Sequence, residues 1–123
     1  MTEYRWIRVS ACDSVPLREG RAVRLPDREL AIFNLGDRFL AVDNECPHRG
    51  GPLADGIVSG ASVVCPLHAW KVDLETGRVE RPAAANASCL AIYPVRVEED
   101  TILVGIPVDM AGVGARRAKG EAA

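Results

Sequence analysis

Two short runs of the chain each combine one cysteine with one histidine. Cys46-Pro47-His48 and Cys65-Pro66-Leu67-His68 lie in surroundings rich in Pro and Gly, sixteen residues (49–64) apart, and they use both histidines of the chain. Two thiolates and two imidazoles make four metal ligands. Because each run pairs a cysteine with a histidine, the set suits a [2Fe–2S] cluster in which one iron binds sulfur and the other binds nitrogen.

Two other interpretations of the same residues are open but weaker. Zinc accepts a Cys2His2 ligand set. However, zinc fingers place their two cysteines together and their two histidines together, whereas this chain interleaves them. A Cys46–Cys65 disulfide would leave both loop histidines without a role.

The two runs resemble the ligand motifs of the Rieske family, C-x-H-x-G followed by C-x-x-H. The first continues here through Arg49-Gly50-Gly51-Pro52-Leu53, and the second through Ala69-Trp70. The resemblance implies one [2Fe–2S] cluster per chain, with Cys46 and Cys65 on the buried iron and His48 and His68 on the outer iron. Leu53 and Leu67 are placed to shield such a cluster from water.

The resemblance also implies a low reduction potential within the family. High-potential members carry two extra cysteines, and a serine and a tyrosine that donate hydrogen bonds to sulfur. Gly51 and Leu67 stand at the cysteine positions here, and Trp70 and Val72 at the donor positions. Because donors to sulfur stabilise the reduced state, we expect a value toward the lower end of the roughly −150 to +300 mV Rieske range.

Composition and patterning predict a single all-β domain. The chain has 123 residues, 48% of them hydrophobic, with 11 Gly and 8 Pro, and a formal charge of −2 that offers no basic footprint for nucleic acid. Short runs of Val, Ile and Leu alternate with turn signals. We therefore expect a Rieske-type antiparallel β-sandwich or barrel over residues 4–107, with an inserted cluster-binding subdomain at about 45–70 and a disordered tail at 108–123.

The predicted strands are short and closely spaced. Turns are expected at Gly36-Asp37, at Glu75-Thr76-Gly77 and at Glu98-Glu99-Asp100. The strands are Arg5–Val9, Ala22–Leu25, Leu30–Asn34, Phe39–Asp43, Ser62–Cys65, Trp70–Asp73, Ala91–Val97 and Thr101–Ile106.

The N-terminal residues enter a strand pattern without a long apolar run. We therefore expect neither a signal peptide nor a transmembrane anchor, no association with a membrane, and a cytoplasmic location. In that compartment Cys12 and Cys89 are expected to be free thiols.

Two functions fit this small electron carrier. From Trp6 to about Ile106 the chain is similar to the small subunit of assimilatory NAD(P)H-dependent nitrite reductase, including Leu74-Glu75-Thr76-Gly77 and Tyr93-Pro94-Val95-Arg96-Val97. The alternative is the Rieske ferredoxin of an aromatic-ring-hydroxylating dioxygenase system. In neither role is the chain expected to be catalytic alone. Its partner would be a larger sirohaem and flavin nitrite reductase subunit, or a dioxygenase and its reductase.

Overall fold

The computed structural model describes residues 3–44, 52–66, 69–82 and 90–108. Their regular elements are antiparallel strands and two single-turn 3-10 helices, so the prediction of an all-β fold is confirmed. The 3-10 helices span Cys12–Ser14 and Leu53–Asp55. The strands are β1 (Tyr4–Ala11), β2 (Gly20–Leu25), β3 (Arg28–Asn34), β4 (Phe39–Asp43), β5 (Ile57–Ser59), β6 (Ser62–Val64), β7 (Lys71–Asp73), β8 (Val79–Arg81), β9 (Ile92–Tyr93), β10 (Val95–Glu98) and β11 (Thr101–Pro107).

The strands form three sheets. The base sheet has the order β1-β11-β10, and the central sheet has the order β2-β3-β4-β9. The third, which we call the insert sheet, has the order β5-β6-β7-β8 and comes entirely from the segment between β4 and β9. The chain thus leaves the central sheet after Asp43, builds a separate sheet, and returns at Ile92.

Strand β3 of the central sheet is buried on both of its faces. Its middle residues, Leu30-Ala31-Ile32-Phe33, form an unbroken apolar run, and each has no measurable exposure. Successive side chains of a strand point to opposite faces of the sheet. An unbroken apolar run is therefore what a strand covered on both sides requires, whereas a half-exposed strand would alternate with polar residues.

Each face of the central sheet packs against one of the other sheets. Leu30 and Ile32 belong to the base core, which also contains Val15, Ala41, Tyr93, Ile102, Val104 and Ile106. Ala31 and Phe33 belong to the insert core, which also contains Val42, Leu53, Ala54, Val63, Cys65, Val72, Leu74 and Val79.

The structure corrects three details of the predicted strands. The inserted subdomain runs on to Arg81, beyond the expected end near residue 70, because β7 and β8 complete its sheet. The three-residue strands β5 and β8 were missed, since so short a segment shows no measurable period. The expected strand Ala91–Val97 is interrupted at Pro94, which has no backbone N–H to donate and separates β9 from β10.

All three predicted turns are confirmed. Gly36 lies between β3 and β4 with φ +99°, and Gly77 lies between β7 and β8 with φ +80°. Glu99 and Asp100 connect β10 to β11 with φ +51° and +65°. Left-handed conformations at both central residues match the twist of a two-residue hairpin. The expected tail lies outside the described residues apart from Val108.

Among the residues that the structure describes, none belongs to a helix long and apolar enough to cross a membrane.

Candidate cluster-binding site

Cys65 follows directly after β6 and is the predicted ligand that lies within the described residues. Its thiol is free, and the residue is only 2% exposed. It is part of the insert core together with Leu53, Val63 and Val72. A buried, unpaired thiol at the end of a short strand suits the role expected for it, a ligand on the iron that is shielded from water.

The loop that begins at Cys65 is closed by the backbone. The Cys65 N–H donates to the Trp70 carbonyl at 2.7 Å, and the Ala69 N–H donates to the Cys65 carbonyl at 3.1 Å. Ala69 has φ +59°, a left-handed conformation that costs a non-glycine residue about 1–2 kcal/mol. The chain accepts this strain at the point where the loop turns back into β7. Strain of this kind is concentrated at functional sites.

Asn44 links the residues that flank segment 45–51, which carries the other predicted cysteine. This side chain is 5% exposed, and its Oδ1 accepts a hydrogen bond from the Ala54 N–H at 2.7 Å. The backbone N–H of Asn44 donates to the Glu29 carbonyl at 2.9 Å. Asn44 thus ties the residue before segment 45–51 to a residue just after it, and holds both on β3.

Gly56 allows the 3-10 turn Leu53–Asp55 to pack against β6. It closes the 3-10 turn after the first loop, where its N–H donates to the Leu53 carbonyl at 2.9 Å. A Cβ on Gly56 would lie 2.7 Å from Val63 Cγ2 and nearer still to the Val64 carbonyl oxygen. Only glycine allows this turn to touch β6, the strand that leads into Cys65.

The other three predicted ligands, Cys46, His48 and His68, lie outside the described residues, as does Leu67. The structure does describe the segments on either side of them. Leu53, which follows segment 45–51, is fully buried in the same core as Cys65.

A polar network beside the first loop was missed by sequence reasoning. The Tyr93 hydroxyl donates to the Asp43 carboxylate at 2.7 Å and accepts from the Arg28 guanidinium at 3.3 Å. Arg28 also lies over the Tyr93 ring, 5.9 Å from its centre, and donates to the Asp27 carboxylate. These partners lie far apart in the sequence and share no motif, so no local signal could have found them.

The tyrosine of this network stays protonated. Burial, and next the hydrogen bond to Asp43, raise the pKa of Tyr93 well above its ordinary value. The pKa of Arg28 is raised as well, chiefly by its hydrogen bond to Asp27. At neutral pH the hydroxyl therefore donates to Asp43, and the guanidinium is a cation.

Comparison with known proteins decides the family. The model of the Rieske [2Fe-2S] domain matches residues 5–94. The chain belongs to the Rieske family. The 3-phenylpropionate/cinnamic acid dioxygenase ferredoxin subunit of Escherichia coli (strain K12) is 34% identical over 102 residues, which are 81% of this chain and 94% of that relative.

Solved structures of Rieske proteins have the same fold. The structure of the complex of reduced oxygenase and oxidized ferredoxin in carbazole 1,9a-dioxygenase contains a chain that matches with a TM-score of 0.73 and 27% identity, over 81% of this chain and 92% of that one. A chain of Mycobacterium tuberculosis assigned as an NADH-dependent nitrite reductase small subunit matches with a TM-score of 0.74 and 28% identity, over 84% of this chain and 96% of that one.

As a Rieske electron-transfer protein, the chain carries one [2Fe–2S] cluster. The residues present fit this group. Two cysteines and two histidines at the family spacing would supply sulfur and nitrogen donors, and the Cys65 thiol is buried and free.

Proposed function

We propose that Cys46, His48, Cys65 and His68 hold the cluster, the cysteines on the inner iron and the histidines on the outer iron. The observation that carries this proposal is the buried free thiol of Cys65 in a loop closed by backbone hydrogen bonds. The hydrogen bond between Asn44 and Ala54, which we call the Asn44 clamp, supports it, because it ties together the residues on either side of the segment that carries Cys46 and His48.

The bound cluster accepts and releases one electron. The chain's own residues set the conditions for that exchange. Two thiolates carry half the negative charge of four, so an added electron meets less repulsion than in an all-cysteine site. Leu53 and Val72, both fully buried, exclude water from the inner side. The histidines would occupy the outer side, where an electron leaves the domain by the shortest route.

We propose a nitrite reductase as the enzyme served, with this chain as the small subunit of an assimilatory, cytoplasmic NAD(P)H-dependent complex. The support is the similarity of residues from Trp6 to Ile106, including the turn after β7, and the agreement with the Mycobacterium tuberculosis chain along almost its whole length. The partner is then a larger subunit that holds sirohaem and flavin. This chain would not reduce nitrite alone.

A second function is favoured by a different observation. The curated dioxygenase ferredoxin relative is more similar in sequence, at 34% identity, than the nitrite reductase chain at 28%. In that role the protein would carry electrons from a reductase to an aromatic-ring dioxygenase. The same fold and the same cluster serve both roles, so the partner is what distinguishes them.

The ligand set is tested by analysis of iron and acid-labile sulfide. The protein should contain two irons and two acid-labile sulfides per chain, as one [2Fe–2S] cluster requires. Cys65→Ser should lose both, whereas Cys12→Ser, which removes a free thiol in the first 3-10 helix, should keep both. Stoichiometric zinc without sulfide would contradict the proposal.

The partner is tested by co-expression with a candidate large nitrite reductase subunit. Co-purification, and loss of NAD(P)H-dependent nitrite reduction when this chain is omitted, would support the first function. Equal nitrite reduction without this chain, together with electron delivery to a ring-hydroxylating oxygenase, would establish the second.

A further inference from the structure

Asp43 places a negative charge close to the start of the first ligand loop. It is the last residue of β4, and Cys46 follows three residues later. Reduction makes the cluster more negative, so a nearby carboxylate opposes it. The strength of this opposition depends on where the carboxylate lies and on what offsets its charge.

The neighbours of Asp43 determine both the position of its carboxylate and the extent to which its charge is offset. The Tyr93 hydroxyl points its positive end at the carboxylate from 2.7 Å and is held from its other side by Arg28. Tyr93 is 5% exposed, and the side chain of Arg28 is 11% exposed. Away from bulk water, hydrogen bonds and charges act more strongly than at an open surface.

We propose that Tyr93 is a positioning residue for electron transfer: its hydroxyl holds the Asp43 carboxylate in place and offsets part of its charge, which raises the reduction potential of the cluster. The proposal rests on Cys46 as a ligand. Arg28 acts through Tyr93, because it fixes the direction of the hydroxyl. The network changes the reduction potential of the cluster without supplying a ligand atom to it.

The test is the midpoint potential of the holoprotein, measured by protein-film voltammetry. Tyr93→Phe removes only the hydroxyl and should lower the potential. Asp43→Asn removes the charge and should raise it. The double variant should match Asp43→Asn, because an uncharged side chain leaves the hydroxyl little to offset. Tyr4→Phe is the matched control, since Tyr4 is 40% exposed on β1 and its ring packs at a tilt against Trp6.

Two results would overturn the proposal. One is an unchanged potential in Tyr93→Phe with iron and sulfide intact, and the other is an additive effect in the double variant. If Tyr93→Phe loses its cluster, the decision passes to Asp43→Asn, for which an unchanged potential is equally contradictory. Absence of iron and sulfide from the wild-type protein would instead refute the ligand set.

Discussion

Removal of the Asn44 side chain should break the hydrogen bond that ties the residue before segment 45–51 to Ala54. In Asn44→Ala the Ala54 N–H loses its acceptor at 2.7 Å in a buried position. A buried donor left without a partner costs about 1–3 kcal/mol. The loss raises the free energy of the closed loop. It hardly changes the free energy of an opened loop, because water can accept the hydrogen bond from the Ala54 N–H there.

The equilibrium for loop opening should therefore rise. Since 1.4 kcal/mol corresponds to a factor of ten, the change is about 5- to 150-fold. If iron leaves through the opened loop, its release to a chelator should accelerate by the same factor. The assay is the rate at which a colorimetric chelator takes up iron from the holoprotein at 25 °C, with absorbance of the cluster followed in parallel.

The matched control is Asn34→Ala, which removes an amide of the same kind at the far end of the central sheet. Its side chain bonds the Val15 carbonyl at 2.9 Å and the Gly36 N–H at 2.8 Å, neither of which borders a ligand loop. It should lower the melting temperature with little effect on iron release. If both variants release iron at the same rate, or if Asn44→Ala matches the wild type, the clamp does not hold the loop.

Four further outcomes are expected. Gly56→Ala should lower both cluster content and melting temperature, because its Cβ would collide with β6. Gly60→Asn is the control: its left-handed position is open, so cluster content in the iron and sulfide assay should stay unchanged. Ala69→Gly should relieve backbone strain at φ +59° and stabilise the protein by about 1 kcal/mol, seen as a higher melting temperature. Trp70→Ser should raise the midpoint potential in voltammetry, because it restores a hydroxyl at the position where high-potential family members donate to sulfur. Burial raises the pKa of Tyr93, so its neutral form contributes stability that is present below about pH 10 and is lost as the pH rises above it. Melting temperatures measured from pH 8 to pH 11.5 should therefore fall more steeply for the wild type than for Tyr93→Phe.

The sequence predicted the elements whose signals are local. The apolar run from Leu30 to Phe33 predicted a strand, and Gly36 and Gly77 predicted turns, both of which have positive φ in the structure. The ligand motifs identified the family because four ligands at a fixed spacing are specific. Strands β5 and β8 escaped because three residues carry too little pattern.

The features that escaped prediction at the site depend on contacts between distant residues. Arg28 and Tyr93 are 65 positions apart, and Tyr93 and Asp43 are 50 apart. Nothing near Asn44 in the sequence indicates that its side chain would span a loop to Ala54. These contacts depend on how strands that are distant in sequence pair and pack in the folded protein, and a single sequence does not reveal that pairing.

The shared central sheet has a consequence for moving this electron carrier onto another scaffold. A transplant of residues 44–81 would include all four proposed ligands, the Asn44 clamp and the whole insert sheet. It would leave behind Ala31, Phe33 and Val42, which form the side of the insert core that belongs to the central sheet. The segment is therefore continuous in sequence but does not fold as an independent module. A designer must supply two adjacent host strands, one that presents an alanine and a phenylalanine and one that presents a valine to the insert core.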